Sequence, residues 1–204
     1  FVIEGDTNIN LSIELKEVVL FQPLKFYNYD EAKRYVILRD RTYRVYPYAK
    51  MAADRLNILT GRLKQIKFNR KRRKYLKRLE NFIYDEFEKE LKKLSRSQGR
   101  ILIKLVHRQI GETTYQLVKD LRNGWRAFIY QTTASLFKLS LKDTYDPKTA
   151  YEDYLIEDIL QRAFSEDRLE RQDTALDYDL DSLYQYWKKN KPKFITKKSL
   201  QDTK

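Results

Sequence analysis

Apolar residues recur every three or four positions along most of this chain, most densely between Arg96 and Leu141. A repeat of this length places the apolar side chains on one face of an α-helix. Sandwiches and barrels need many tight turns, whereas this sequence has only 5 Gly and 4 Pro. The sequence therefore predicts a mainly α-helical, bundle-like domain with the central stretch as its core.

Capping residues divide the pattern into successive helices. Asp30 is predicted to cap a first helix that ends at Tyr46. Pro47 is predicted to begin a second helix, because a proline at the first helical position loses no intrahelical hydrogen bond. Asn69 is predicted to cap a third helix, which begins with a dense group of basic residues.

The central stretch has its own start and stop signals. Ser95 or Ser97 is predicted to begin a helix, and Gly111 to end it, because glycine readily adopts the left-handed conformation of a helix C-terminus. Apolar residues occupy one face of this helix. The opposite face gathers Arg100, Lys104, His107 and Arg108.

The two ends of the chain differ from this helical body. Near the N-terminus, Leu11, Ile13 and Leu15 alternate with polar residues, which is the period of a half-buried β-strand. Beyond Ser165 the chain becomes acidic and then lysine-rich, interrupted by an amphipathic segment from Leu180 to Trp187. The predicted parts are a β-hairpin or strand element in residues 1–28, a helical domain in residues 29–165, and an extended tail in residues 166–204 that is ordered only on a partner.

The charges of the chain are distributed in blocks. The formal net charge is +13, yet the run from Arg62 to Arg78 has ten Lys or Arg and no acid, and Asp143 to Ser182 has thirteen acids and four bases. The simplest counterpart of the basic run is the chain's own acidic segment, followed by an acidic protein partner. Anionic lipid headgroups are a further candidate. Nucleic acid, stacked on Phe68 and Tyr75, is disfavoured because no recognised nucleic-acid-binding pattern occurs.

The sequence nominates two sets of partner-binding residues. One set comprises the cations at the start of the third helix, which would meet acids on a protein partner: Arg70, Arg72, Arg73, Lys74, Lys77 and Arg78. The other set is aromatic, with Tyr184 and Trp187 anchoring the tail in a groove. No stretch of the sequence is long and apolar enough to form a transmembrane segment.

Groups suited to catalysis or cofactor binding are few. The chain has no cysteine and one histidine, His107, which we interpret as a structural or surface residue. No glycine-rich phosphate-binding motif occurs, and no cofactor is expected. The carboxylates Glu152, Asp153, Glu157 and Asp158 could hold a divalent ion in pairs. A solvated face near a helix N-terminus is the favoured interpretation of these four acids.

Several segments of the chain resemble one known family. They are SQGRILIKL at 97–105, GETT at 111–114, GWRAF at 124–128 and YDP at 145–147, with VYPYA at 45–49 and DYLIE at 153–157. The chain resembles, over about residues 5–165, a domain-of-unknown-function family of Bacteroidetes-type bacteria. The resemblance implies an N-terminal signal sequence and export to the periplasm, which agrees with a chain that begins with Phe1 rather than Met. It implies no catalytic residues, since the family has no established activity.

These observations lead to a hypothesis of docking rather than catalysis. We expect a non-enzymatic periplasmic accessory or scaffold subunit of a cell-envelope complex, peripherally associated with the outer membrane and belonging to its protein-insertion or secretion machinery. One alternative is a nucleic-acid-binding protein that uses residues 62–78. The other is a cell-wall enzyme with a deep pocket lined by polar residues of the central stretch, namely Arg100, Lys104, His107, Arg126 and Tyr130.

Overall fold

Four α-helices make up most of the computed structural model, which describes residues 21–68, 70–71, 74–75, 78, 93–111 and 143–192. They are α1 (Tyr29–Gln65), α2 (Arg96–Ile110), α3 (Tyr151–Ser165) and α4 (Leu180–Asn190). The prediction of a mainly helical fold is confirmed. Of the predicted β element, residues 1–20 lie outside the described residues, and residues 21–28 have no strand. None of the described helices is both long and apolar enough to cross a membrane.

The first helix is continuous where the sequence predicts two helices. α1 has 37 residues, and Pro47 lies inside it instead of beginning a new helix. An interior proline costs about 3 kcal/mol because it removes a hydrogen bond and crowds the preceding turn. The neighbours Val45, Tyr46 and Ala49 are at most 1% exposed. Burial of one large apolar side chain stabilises by about 1.5–3 kcal/mol, so the packing around Pro47 offsets its cost.

The start of α1 also differs from the prediction. Asn28, rather than Asp30, caps the helix, because the Asn28 side-chain oxygen accepts the backbone N–H of Glu31 at 2.9 Å. Asp30 lies in the first turn, where an acid stabilises the positive end of the helix dipole. Glu31 in turn accepts the backbone N–H of Tyr27 at 2.6 Å. The Glu31 side chain thus also holds the residue that precedes the cap.

Both ends of α2 follow the predicted capping residues. The Ser95 hydroxyl accepts the backbone N–H of Gln98 at 3.3 Å, and the Gln98 side chain accepts the backbone N–H of Ser95 at 2.8 Å. At the other end, Gly111 has a φ of +78° and donates its N–H to the carbonyl of His107 at 2.8 Å. This left-handed conformation favours glycine, so both boundaries are determined locally.

The core forms where α1 packs against α2 and α3. Its fully buried side chains come from all three helices and from the turn before α3. They are Val45, Tyr46 and Ala49 of α1, Ile101 and Leu105 of α2, Ile156, Ile159 and Leu160 of α3, and Tyr145.

The first part of the predicted tail, up to residue 192, packs on the helices of the same chain. The Tyr46 hydroxyl donates to the carbonyl of Glu170 at 2.9 Å, and the Ala175 N–H donates to the carbonyl of Arg108 at 2.9 Å. Asp179 then caps α4. The sequence predicts a tail that is ordered only on a partner, whereas residues 166–192 pack on this chain's own helices. Residues 193–204 lie outside the described residues.

Candidate functional site

A ladder of three ion pairs joins α2 to α3. The bases lie one turn apart on α2, and each faces an acid of α3. The pairs are Arg100 with Glu152, Lys104 with Asp153, and Arg108 with Glu157. The prediction of a solvated acidic face is therefore wrong for Asp153 and Glu157, which are both buried.

The ladder becomes more buried from one end to the other. The Arg100 and Glu152 side chains are 41% and 37% exposed, whereas the Arg108 and Glu157 side chains are 1% and 2% exposed. An exposed pair contributes about 0–1 kcal/mol, since water screens it. A buried pair must offset a large desolvation penalty, which requires every polar atom to have a partner. The inner pair is therefore the part of the ladder in which hydrogen bonding decides stability.

Glu157 meets that requirement. Its two oxygens accept bonds from Arg108 Nε and Nη2 at 2.7 and 2.9 Å, and from the hydroxyls of Tyr145 and Tyr178 at 2.8 Å each. Gln161 Nε2 adds a further bond at 2.8 Å. Burial alone would raise the pKa of Glu157, but the hydrogen bonds and charge of Arg108 outweigh it and the pKa is lowered. The carboxylate stays ionised, and both of its oxygens already accept hydrogen bonds from the protein. We therefore assign this cluster a structural role.

Asp158, the fourth carboxylate that was considered as an ion ligand, does not face α2. Asp158 accepts the Tyr35 hydroxyl at 3.1 Å and Arg162 Nε at 2.9 Å, facing α1 and not α2. The carboxylates of α3 are thus directed to different partners. In the described ranges, no three acidic or histidine side chains are grouped so that they could hold a metal ion.

His107 has the structural role that the sequence analysis favoured. Its Nδ1 accepts the backbone N–H of Tyr145 at 2.9 Å, so the neutral ring carries its proton on Nε2. Burial lowers the pKa of His107, while Asp153 and Asp146 act in the opposite direction. The imidazole therefore holds the chain that enters α3.

The burial of His107 predicts a pH dependence of folding. The pKa of His107 is lowered below the ordinary 6.5 in the folded chain. The unfolded chain therefore binds the second imidazole proton more tightly than the folded chain. The contribution to the free energy of unfolding should be complete above pH 6.5 and decrease as the pH falls below it. Urea titrations at about pH 7.5 and about pH 5.5 would measure this loss. His107→Asn keeps an acceptor for the Tyr145 N–H and should reduce it, and an equal loss in the variant would contradict the assignment.

The polar residues of the enzyme alternative that the structure describes do not line a common pocket. Arg100 and Lys104 are paired with acids of α3, and His107 is buried against the Tyr145 backbone. Arg126 and Tyr130 lie outside the described residues.

The structure describes three of the six basic residues that are predicted to bind a partner. Arg70, Lys74 and Arg78 are exposed, whereas Arg72, Arg73 and Lys77 lie outside the described residues. The favoured prediction was that the basic run pairs with the chain's own acidic segment. Over residues 143–182, no acid forms an ion pair with Arg70, Lys74 or Arg78. Three acids of that segment instead pair with α2.

The predicted aromatic anchors lie on α4. Trp187 is buried, at 8% exposure, and its Nε1–H donates to the carbonyl of Pro147 at 2.8 Å. Tyr184 is half-buried one turn earlier. A partner could contact the Trp187 indole only after α4 separates from α3, and the partner-binding role of both residues stays a prediction.

Sequence reasoning missed the inner ion pair, although a signal for it was present. Arg100, Lys104 and Arg108 repeat every four residues, and Asp153 and Glu157 have the same spacing. Two helices with matching spacing and opposite charge can form pairs along their contact. The sequence does not show that these two faces meet.

A cavity of about 820 Å³ lies on the other side of α3. Its walls come from residues 22–27, the N-terminal half of α1, the outer face of α3, and α4. The side chains that line it include seven aromatic residues, six Lys or Arg and three acids.

Comparison with known proteins gives one match. Residues 7–162, more than half of the chain, match a family described as a domain of unknown function, DUF4294. No curated protein matches the chain, and no solved structure does. The predicted resemblance to a family of unknown function is confirmed over nearly the same residues.

Proposed function

The chain belongs to the DUF4294 family of domains of unknown function, and from that premise we propose that it is a non-enzymatic scaffold subunit that docks an acidic protein partner through the basic run 62–78. We place the complex in the cell envelope, at the periplasmic side of the outer membrane and in its protein-insertion or secretion machinery. The envelope location rests on the family resemblance and its implied export. The docking role rests on the charges of the described residues.

The observation that carries the docking role is that Arg70, Lys74 and Arg78 of the basic run have no ion pair with any residue that the structure describes. All three residues are exposed. The most buried acids of the 143–182 segment, Asp153 and Glu157, are held by α2. The charges of Arg70, Lys74 and Arg78 are therefore available to a partner, where they would speed association and set orientation.

Apolar side chains beside the cations favour a protein partner. Phe68 is 67% exposed and Ile58 is 56% exposed, both at the C-terminal end of α1 or just beyond it. Lys71 Nζ lies 5.5 Å from the centre of the Phe68 ring. Protein interfaces combine an aromatic contact that excludes water with charges around it. A surface with acids around an apolar depression is the complementary shape.

The proposal predicts a site-specific crosslink in cells. A photo-crosslinking amino acid at Lys74 should give one discrete product that fractionates with the outer membrane and contains an envelope protein. The same amino acid at Arg44, which is exposed on α1 away from the basic run, should not. The triple variant R70E/K74E/R78E, crosslinked through position 71, should lose the product because three cations become acids.

A control of equal charge separates docking from net charge. K33E/R44E/K189E changes three exposed cations outside the run and lowers the formal charge from +13 by the same amount. It should keep the product. Equal loss in both triple variants, or a product that contains nucleic acid or lipid but no protein, would contradict the proposed partner class.

A further inference from the structure

We propose that the cavity between residues 22–27, α1, α3 and α4 is a binding site for a small organic anion that carries a flat ring. This inference does not depend on the docking proposal, since the cavity and the basic run 62–78 share no lining residue. It rests on the size of the cavity, the aromatic groups on its wall and the balance of its charged groups.

The size fits a small molecule. The volume is about 820 Å³, and ligand sites in proteins occupy about 300–1,000 Å³. Two elements that lie far apart in the sequence, residues 22–27 and α4, contribute to its wall together with α1 and α3. Lys191 joins them, because its Nζ donates to the carbonyl of Lys25 at 2.6 Å and pairs with Glu31 at 2.6 Å.

One wall is a group of contacting aromatic rings. The Trp187 ring centre lies 5.2 Å from that of Tyr151 and 6.0 Å from that of Tyr154, and the Tyr154 contact is stacked at 29°. Phe26 and Tyr35 form a second contact, with centres 5.4 Å apart. Flat ring faces of this kind bind flat apolar ligand surfaces by stacking.

The acids on the wall are already used by neighbouring groups. Glu31 is paired with Lys191, and Asp158 accepts Tyr35 and Arg162. Glu152 is paired with Arg100, which is outside the cavity. None of these three carboxylates is available to neutralise a further cation.

One cation and two hydroxyls on the same wall differ from these paired groups. Arg41 is half-buried and has neither an ion pair nor a hydrogen bond among the residues described. In the same part of the chain, the hydroxyls of Tyr154 and Tyr184 make no hydrogen bond. Burial raises the pKa of Tyr154 to about 12, so its hydroxyl keeps its proton and can donate to an anion.

The charge count agrees with this assignment. Six Lys or Arg face three acids on the cavity wall, which leaves a net positive charge. The Arg41 guanidinium can bind a carboxylate, sulfonate or phosphate through charge-assisted hydrogen bonds. Stacking rings and an unpaired Arg41 together define a ligand with a flat ring at one end and an anionic group at the other.

Two probes of nearly equal shape test the proposal on the full chain. Naphthalene-2-sulfonate carries the anion, and naphthalene-2-sulfonamide is its neutral counterpart. Titration calorimetry should show saturable binding of one sulfonate per chain, at least about tenfold tighter than the sulfonamide. Tryptophan fluorescence should change with the same midpoint, because Trp187 lies on the wall.

Variants then locate the site. Arg41→Gln should weaken sulfonate binding at least about tenfold and leave sulfonamide binding unchanged, because it removes a charge-assisted hydrogen bond that only the anion can accept. Arg44→Gln, one turn further along α1 and outside the cavity, should change neither. Tyr154→Phe should weaken sulfonate binding severalfold, and it serves as the second test if Arg41→Gln does not fold. Equal affinity for both probes, no saturable binding at millimolar concentration, or full sulfonate affinity in Arg41→Gln would overturn the assignment.

Discussion

Replacing Arg108 with methionine is expected to lower the free energy of unfolding by about 3–5 kcal/mol. The Glu157 side chain is 2% exposed, and the substitution would leave its charge buried without a cation. Methionine keeps most of the apolar length of arginine, so the loss reports the charge and its hydrogen bonds more than a cavity. Urea unfolding followed by circular dichroism measures it.

The outer end of the same ladder provides the matched control. Arg100→Met removes the same group from a pair that is 41% and 37% exposed, and it should cost less than about 1 kcal/mol. The double variant R108M/E157Q should regain much of the loss, because a neutral amide can still accept the hydroxyls of Tyr145 and Tyr178. A similar cost at Arg100 and Arg108 would contradict the role given to burial.

In the R108M variant, we also expect the free energy of unfolding to depend differently on pH in the acidic range. The pKa of Glu157 lies below its ordinary 4.5 in the folded chain, chiefly because of Arg108, although burial opposes this. A lowered carboxyl pKa contributes stability that is complete above pH 4.5 and is lost as the pH falls through the folded value. Without Arg108, burial of Glu157 is opposed only by its hydrogen bonds from Gln161, Tyr145 and Tyr178. We expect its pKa to rise, and the variant should then gain stability on mild acidification relative to the native chain.

Replacing Trp187 with alanine is expected to cost about 3–5 kcal/mol. The indole is 8% exposed, contacts the rings of Tyr151 and Tyr154, and donates its N–H to the carbonyl of Pro147 at 2.8 Å. Leu183 is the other buried side chain of α4, so one substitution removes much of its apolar contact. α4 should then separate from α3, with hydrogen exchange and proteolysis increased first in residues 176–192.

A smaller substitution distinguishes packing from hydrogen bonding at this position. Trp187→Phe keeps an aromatic ring and removes the donor to Pro147, so we expect a cost of about 1–3 kcal/mol with α4 still in place. Leu180→Ala, at a position that is 37% exposed, should have little effect. If Trp187→Ala costs under about 1 kcal/mol and leaves exchange in α4 unchanged, the indole does not hold the helix.

Local signals in the sequence predicted much of the helical structure. The apolar spacing predicted the helical domain in residues 29–165 and the amphipathic segment that forms α4. The caps Ser95 and Gly111 were correct because their hydrogen bonds join residues within one turn. Pro47 shows where such reasoning fails. Its local preference is to begin a helix, but burial of Tyr46 and Ala49 on α2 and α3 outweighs that preference and keeps α1 continuous.

The sequence by itself determined that this chain is helical, where α2 begins and ends, and that basic and acidic faces occur on separate helices. Only the tertiary structure decided that Arg108 pairs with Glu157, 49 residues away. It also decided that the Trp187 indole is buried against Pro147, Tyr151 and Tyr154 of the same chain. The physical reason is the distance along the sequence over which each interaction acts. Spacing and capping act within a turn, whereas the partner of a charged or aromatic face depends on which helices pack together, and that follows from the burial of the whole core.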